Sequence, residues 1–268
     1  MVEQVSRPWV RVVAGVVLNQ AGDYLLSSRP EGKPYAGYWE FAGGKVEANE
    51  SEFAALQREF AEELGITIHR AKPWLTKVHV YEHAHVHLRF FWITANDWSG
   101  EVQAKEGQQW SWQRAGDFDV SPMLPANGSI LAALAVPTAF RGNLQQGLLG
   151  HNGAGEYRVL PYSRAEGHSQ AVLLTQDEVQ TLGKLPTAQS VWVVVRNAAE
   201  FAASQDADVL LWQVQDDVAA QQVLQQLHMG VALPLLVYAD AGFVERYQAS
   251  WLAAGAHAVV VNDETEWA

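Results

Sequence analysis

The chain has 268 residues, enough for one large or two ordinary domains, and we expect two. The chain has 18 Lys and Arg residues and 30 Asp and Glu residues, which give a formal net charge of −12. Because stable binding to nucleic acid usually needs a basic surface, this charge argues against a nucleic-acid-binding protein. The absence of cysteine excludes disulfides and thiolate ligands. No segment has the apolar length of a membrane span or the pattern of a signal peptide, so we expect a soluble, cytoplasmic protein without a membrane partner.

The first half, taken as a domain of residues 1–136, alternates strand and helix patterns. Runs of β-branched and apolar residues predict strands at 10–18, 23–27, 86–94 and 109–112. Turn residues at 19–22 predict that the first two strands form a hairpin. With a closing helix predicted at 126–136, the domain is expected to be an α/β fold with a mixed sheet flanked by helices.

A helix at residues 50–64 has the clearest pattern. Apolar side chains recur along it at spacings of three and four residues, with Asn49 as a candidate N-cap and Gly65 as a C-terminal stop. Glu59, Glu62 and Glu63 share another face, where like charges repel unless a cation neutralises them. Oxygen ligands of this kind suit Mg²⁺ or Mn²⁺, although three glutamates on a helix alone are more often a solvated surface.

A longer string surrounds these glutamates. It begins with the turn Gly43-Gly44-Lys45, continues through Glu50, Arg58-Glu59 and Glu62-Glu63, and ends at Gly65 before an apolar residue. The string fills every fixed position of the Nudix box, and the resemblance to the MutT branch of the Nudix family covers about residues 8–135. It implies a Nudix α/β/α sandwich in an enzyme that hydrolyses phosphoric anhydrides.

The resemblance also implies a metal site and its supports. Glu59, Glu62 and Glu63 would be ligands together with the backbone carbonyl of Gly43, and Glu106 would be a further ligand or the general base. Whether Glu59 or Glu106 activates the water stays open. Arg58 would orient Glu59 and Glu62 by charge-assisted hydrogen bonds. Glu50 would brace the loop against the helix, and Gly44 and Gly65 would be structural.

Substrate binding is implied for a second set of positions. Gly44, Lys45 and the phosphate-binding Arg29 would hold the substrate, Phe41 would pack against the base, and Asn127 would bond the guanine edge. A base-reading arginine of the MutT branch falls on Val86 here. Four histidines cluster nearby, and one of them could replace that arginine, although a polar strand face is the simpler interpretation; they are His79, His83, His85 and His87.

The implied reaction is Mg²⁺-dependent hydrolysis of a nucleoside triphosphate to the monophosphate and pyrophosphate, with 8-oxo-dGTP as the usual substrate of the branch and nucleotide-pool sanitation in DNA replication and repair as its purpose. Two alternatives stay open. One is a pyrophosphatase acting on a pyrimidine or thiamine-pathway pyrophosphate, and the other is a non-catalytic nucleotide-binding regulator.

The second half is the more acidic one, with a net charge of −8. Five glycines predict a linker at 137–156, followed by a domain at 157–268 with six strands alternating with helices, as in a parallel sheet. This domain resembles, more weakly, the thiamine-phosphate-synthase-like (β/α) barrel, with two units fewer than a closed barrel needs. Asp240 and Asp263 lie where phosphate-binding loops are expected. We therefore expect a degenerate domain for dimerisation, stabilisation or binding, with a homodimer possible.

Overall fold

The computed structural model describes residues 9–80, 85–166 and 171–263. They form two compact units, one ending at Ser129 and one beginning at Ile130. The boundary lies before the predicted end of the first domain because Val136 packs into the apolar core of the second unit. Within the described ranges, no helix is both long and apolar enough to cross a membrane.

The first unit is a mixed α/β structure. Its elements in chain order are β1 (Trp9–Val17), β2 (Tyr24–Ser28), β3 (Trp39–Glu40), β4 (Gly43–Lys45), α1 (Glu52–Glu63), β5 (Thr67–Ile68), β6 (Lys72–Val80), β7 (His85–Ile93), β8 (Trp98–Ser99), β9 (Trp110–Gln113), a 3₁₀ turn (Pro125–Asn127) and the start of α2 (Gly128–Leu134).

These strands form a mixed sheet of order β4-β1-β7-β6, in which β1 and β7 are parallel, an antiparallel sheet of order β3-β2-β9, and the pair β5-β8. The predicted hairpin of the first two strands is present only at its turn, where Leu18 and Tyr24 form an isolated antiparallel bridge. The turn exists, since the Asn19 side chain accepts hydrogen bonds from the backbone amides of Ala21 and Asp23, but β1 and β2 then separate into different sheets. β1 instead pairs along its whole length with β7.

Helix α1 confirms the predicted periodicity, and its apolar side packs into the core of the first unit. Its N-cap is Ser51 rather than Asn49: the Ser51 side chain accepts from the Ala54 amide at 3.1 Å. Asn49 has a φ of +65° and belongs to the preceding turn. The helix ends before Gly65, whose φ of +69° is the left-handed conformation that favours glycine after a helix.

The second unit is an eight-stranded sheet with helices between its later strands. It contains β10 (Phe140–Asn143), β11 (Gly147–Asn152), β12 (Gly155–Pro161), a 3₁₀ turn (Tyr162–Arg164), β13 (Ala171–Leu174), α3 (Gln176–Leu182), β14 (Ser190–Val195), α4 (Ala198–Ala203), β15 (Val209–Val214), α5 (Asp217–Met229), β16 (Leu235–Ala239), α6 (Ala241–Ala254) and β17 (Ala258–Val261).

The predicted linker is wrong, whereas the six strands predicted beyond it are present as β12 to β17. Residues 140–161 form an antiparallel meander, and from β12 onward every neighbouring pair is parallel. The glycines that suggested a linker serve its turns, as the φ values of +110° at Gly147 and +119° at Gly155 show. Hairpins therefore replace the missing βα units.

The two edges of this sheet meet. Beyond β17, the Asp263 amide donates to the Gly142 carbonyl at 3.2 Å, and Asn143 Nδ2 donates to the Asp263 carbonyl at 2.9 Å. The result is a nearly closed barrel of mostly parallel strands. Alternate residues such as Trp192 and Leu211 fill its interior, as in other parallel barrels with packed cores.

Candidate active site

The glycine turn before α1 brings the backbone against a carboxylate. β4 pairs with β1 so that Gly43 lies opposite Ala14 and Gly44 opposite Val13. A Cβ atom on Gly44 would stand 2.2 Å from Glu59 Oε1, and one on Gly43 would stand 2.1 Å from the Val13 carbonyl oxygen. The clash with backbone requires glycine at Gly43, whereas a side chain at Gly44 would displace the Glu59 carboxylate, which lies directly on the turn.

Arg58 connects the turn to the helix. Its Nε and Nη2 donate to the two carboxylate oxygens of Glu50, each at 3.0 Å, and its Nη1 donates to Glu59 Oε1 at 2.7 Å. Nη2 also donates to the Lys45 carbonyl at 2.9 Å. Hydrogen bonds from Arg58 lower the pKa of Glu50, and those to Glu50 and Glu59 raise the pKa of Arg58. These are the contacts that the predicted bracing and orienting roles require.

The three glutamates of α1 lie in different environments. The side chains of Glu59 and Glu63 are only 15% and 16% exposed, whereas that of Glu62 is 61% exposed and reaches Arg58 Nη1 at 3.5 Å. Glu59 and Glu63 are one helical turn apart and lie on the side of the glycine turn. The structure thus brings two of the three predicted ligands to the turn and leaves Glu62 at the solvent edge.

Glu106 approaches Glu63 from a separate loop. The side chain of Gln108 ties this loop to the end of α1: its Nε2 donates to the Glu63 carbonyl at 2.6 Å, and its Oε1 accepts from the Glu106 amide at 2.8 Å. Gln108 is buried. The sequence analysis assigned it no role, and its place two residues after Glu106 was the only available signal.

Glu63 has an unusual ionisation. Burial, together with the charges of Glu59 and Glu106, raises the pKa of its carboxyl to about 7, against the opposing effects of Lys33 and a hydrogen bond from the Gly43 backbone. Lys33 Nζ lies 2.8 Å from Glu106 Oε2 and 3.9 Å from Glu63 Oε1. The sequence analysis missed Lys33 because a single lysine in a loop forms no pattern.

A cleft of about 400 Å³ joins the carboxylates to the predicted substrate residues. Its lining includes Gly43, Gly44 and Glu63 as well as Phe41 and Asn127. Phe41 is buried and packs edge-on against the Phe90 ring, with centroids 5.7 Å apart. Asn127 is also buried, in the 3₁₀ turn before α2, where its Nδ2 donates to the Trp39 carbonyl at 3.5 Å. Lys45 and Val86 line the same cleft.

Arg29 lines the cleft too, but it is already engaged. Its Nη1 donates to both carboxylate oxygens of Glu40, at 2.8 and 2.7 Å, and its Nε donates to the Pro34 carbonyl at 2.6 Å. Burial raises the pKa of Glu40, and the Arg29 charge opposes that rise. The ion pair places a carboxylate beside the substrate cleft that the sequence analysis did not identify.

The histidine cluster is divided between two strands. His79 in β6 lines the cleft opposite Val86, its cross-strand neighbour. His85 and His87 lie at the start of β7, and the His85 ring packs edge-on against Trp9. His83 lies outside the described residues. The part of the chain that the structure describes holds no group of three or more histidine or acidic side chains arranged for a metal ion.

The chemistry of the site nevertheless fits a divalent cation. Its donors are carboxylate and carbonyl oxygens, which Mg²⁺ and Mn²⁺ prefer. Burial is the main cause of the raised pKa of Glu63, and the nearby charges of Glu59 and Glu106 add to it. Arg58 holds Glu59, and Lys33 lies between Glu63 and Glu106, so positive side chains contact the groups that a cation would contact.

The first unit thus combines a mixed α/β fold, a glycine turn and an arginine-held glutamate pair beside one cleft. The NUDIX domain family matches residues 13–133. An 8-oxo-dGTP diphosphatase of Haemophilus influenzae is 35% identical over 125 residues, which cover 47% of this chain and 90% of that protein. The chain therefore belongs to the Nudix family and is a Nudix hydrolase.

Two further comparisons cover the same half. A CTP pyrophosphohydrolase of Escherichia coli K12 is 35% identical over 132 residues, or 49% of this chain and 96% of that protein. A solved structure from a study of MutT in Aliivibrio salmonicida and Vibrio cholerae is 31% identical, with a TM-score of 0.41, and covers 47% of this chain and 96% of that one.

Proposed function

We propose that this chain is a Mg²⁺-dependent nucleoside triphosphate pyrophosphohydrolase of MutT type that hydrolyses 8-oxo-dGTP to the monophosphate and pyrophosphate and thereby clears a damaged nucleotide from the cytoplasmic pool. The observation that carries this proposal is that Glu63 and the glycine turn line the same cleft as Phe41 and Asn127. The triphosphate and the base of one nucleotide can therefore be bound together.

The chain's own residues divide the work. A bound Mg²⁺ would supply charge neutralisation of the polyphosphate, with Glu59, Glu63, Glu106 and the Gly43 carbonyl as its protein ligands. Arg58 keeps the Glu59 carboxylate in place, and Gln108 keeps Glu106 beside Glu63. Glu59 or Glu106 accepts the proton of the attacking water, while Lys45 binds phosphate oxygens at the cleft wall.

The base pocket supports a nucleotide substrate with hydrogen-bonding edges. The Asn127 amide is buried, so a base that leaves it unpaired would be rejected strongly. Glu40, held by Arg29, adds a partly buried carboxylate to the lining. Arg29 acts here by positioning Glu40, and it is less available for phosphate than the resemblance implied.

A pyrimidine nucleotide is the second candidate substrate. The apolar Val86 occupies the position of the base-reading arginine, and a relative named CTP pyrophosphohydrolase matches as much of the chain as the 8-oxo-dGTP diphosphatases do. A non-catalytic regulator is disfavoured because the Arg58 contacts to Glu50 and Glu59 are complete.

The decisive experiment is pyrophosphate release from a panel of 8-oxo-dGTP, dGTP, CTP and thiamine pyrophosphate, each with and without Mg²⁺. We expect 8-oxo-dGTP to give the largest kcat/KM, with turnover lost when Mg²⁺ is removed. Glu59→Gln should lower kcat by at least about 100-fold, whereas Glu47→Gln, at an exposed position outside the cleft, serves as the matched control. Equal activity of Glu59→Gln and wild type would refute the site.

For the second unit we propose a binding, dimerisation or stabilising role without synthase chemistry. At the carboxyl ends of β16 and β17, the Tyr238 hydroxyl donates to Asn262 Oδ1, and Asn262 Nδ2 donates to Asp240 Oδ1 at 2.9 Å. These polar groups satisfy one another, and the Asp240 carboxylate would repel a phosphate. Tight calorimetric binding of thiamine phosphate to the second unit would argue against this role.

A further inference from the structure

Lys33 contacts the two carboxylates that come from different parts of the chain. It lies in the loop between β2 and β3, and its ammonium is 2.8 Å from Glu106 Oε2 and 3.9 Å from Glu63 Oε1. These two oxygens belong to groups proposed above as cation ligands. The ammonium and a divalent cation therefore require the same oxygen atoms.

The loop that carries Lys33 is closed by its own backbone. The Arg29 amide donates to the Tyr38 carbonyl at 2.8 Å, and the Gly37 amide donates to the Arg29 carbonyl at 2.9 Å. Arg29 Nε also bonds the Pro34 carbonyl. These bonds fix both ends of the loop, and the Lys33 side chain extends from it to the two carboxylates.

The carboxylates themselves favour a positive partner. Glu63 and Glu106 share one ammonium, at 3.9 and 2.8 Å. The Lys33 and Glu106 side chains are 45% and 37% exposed. An ion pair at this exposure is weak and exchangeable, so a divalent cation in solution can displace it.

We propose that Lys33 is a positioning residue that serves as an internal counter-ion, pairing with Glu63 and Glu106 in the cation-free enzyme and competing with the divalent cation for them. The inference rests on the proposed function, because it takes Glu63 and Glu106 as ligands. It adds a property of that site: the apparent cation affinity is set partly by a side chain that is not a ligand.

The test is calorimetric titration of Mn²⁺ into the full-length protein without nucleotide. Lys33→Met should bind Mn²⁺ roughly three- to tenfold more tightly than wild type, because the competing ion pair is removed. Lys33→Arg, which keeps the charge, should bind as wild type does. Lys105→Met is the matched control, since Lys105 Nζ donates to the Ala61 carbonyl at 3.2 Å and no ion pair joins it to a carboxylate within the described residues.

The outcomes separate this inference from the proposed function. If wild type and Lys33→Met bind Mn²⁺ equally, or if the variant binds more weakly, Lys33 is not a competitor and the inference is wrong. If neither wild type nor any variant binds Mn²⁺, the metal site itself, and with it the proposed function, is wrong. A tightening that also occurs in Lys105→Met would reflect net charge alone and would overturn the inference.

Discussion

At the scale of single residues, the site depends on an arginine that holds the glycine turn and two glutamates in place. Arg58 uses three nitrogens to contact Glu50, Glu59 and the Lys45 carbonyl. A guanidinium can make these contacts at once because its donors lie in a rigid plane, whereas an ammonium offers a single point charge. Geometry, more than charge, is therefore the contribution of this residue.

This geometry predicts the effect of a substitution that keeps the charge. Arg58→Lys should lower kcat/KM by about 10- to 100-fold, as loss of a group that orients a ligand does, with a smaller effect on nucleotide KM. Arg11→Lys is the matched control, because Arg11 is half exposed and, among the described residues, its side chain pairs with Glu52 at 3.2 Å. Steady-state kinetics with saturating Mg²⁺ measure both, and a fully active Arg58→Lys would contradict the orienting role.

The Glu63 carboxyl predicts a pH effect on the stability of the cation-free protein. Its pKa rises from 4.5 to about 7 on folding, so the folded state holds a proton that the unfolded state releases, and stability falls as the pH rises through that window. Between pH 5 and 8 the free energy of unfolding should therefore fall by roughly 2–3 kcal/mol less in Glu63→Gln than in wild type.

Urea unfolding in the presence of EDTA measures the effect. Glu62→Gln is the control, because Glu62 lies on the same helix with a mostly exposed side chain. If Glu63→Gln and wild type lose stability in parallel from pH 5 to pH 8, the buried carboxyl is not the source.

At the scale of elements, β4 and α1 are packed so closely that the position of the Glu59 carboxylate depends on Gly44 having no side chain. A Cβ on Gly44 would lie 2.2 Å from Glu59 Oε1, so the carboxylate would have to move by an ångström or more. Displacement of a catalytic group on this scale can cost about 100-fold in rate.

Gly44→Ala should therefore lower kcat by about 100-fold while the protein still folds. Gly128→Ala is the matched control: an added Cβ there has no atom within 4 Å, and its φ of −53° suits alanine. We expect Gly128→Ala to keep its activity and to change stability by less than about 1 kcal/mol. Activity and melting temperature together distinguish a displaced carboxylate from a misfolded chain.

Elements with a clear periodic pattern in their own sequence were predictable, whereas strands whose pairing depends on distant segments were not. The spacing of Leu56, Phe60 and Leu64 identified α1 within two residues at either end. β10 and β11 were missed because their glycines resemble a linker until the neighbouring strand is known. The hairpin of β1 and β2 extends no further than its turn, and the sequence could not indicate this because only the distant β7 shows where β1 pairs.

The site was predictable to a similar degree. Motif spacing brought together Arg58, Glu59 and Glu63, because one helix and one turn carry them. Lys33, Glu40 and Gln108 contribute through contacts across loops far apart in the chain. No periodic pattern marks such positions, and only their packing reveals them.

At the scale of the whole molecule, the second unit contains a titratable group buried in its core. His257 is 3% exposed, and its Nε2 donates to the Val136 carbonyl at 2.8 Å. Burial lowers its pKa from 6.5 to about 4, although the backbone hydrogen bonds oppose this shift. Between pH 6.5 and about 4, His257 is therefore protonated in the unfolded chain and neutral in the folded unit.

The second unit should therefore lose stability as the pH falls from 6.5 to 4, by roughly 3 kcal/mol from this group. In His257→Gln that loss should be absent, so the stability difference from wild type should shrink with falling pH. His151→Gln, at an exposed position in β11, is the control. Urea unfolding at pH 7 and pH 4.5 measures the difference, and parallel curves for His257→Gln and wild type would exclude His257 as the cause.

The antiparallel start of the barrel has a consequence for how that unit folds. β10, β11 and β12 pair with their immediate sequence neighbours across short turns. Each later strand is separated in the chain from the strand it pairs with by a 3₁₀ turn or a helix. Short loops close at a lower entropic cost and form faster. The meander can therefore assemble early and present the edge of β12 as a template, on which the parallel strands add in the order in which they leave the ribosome.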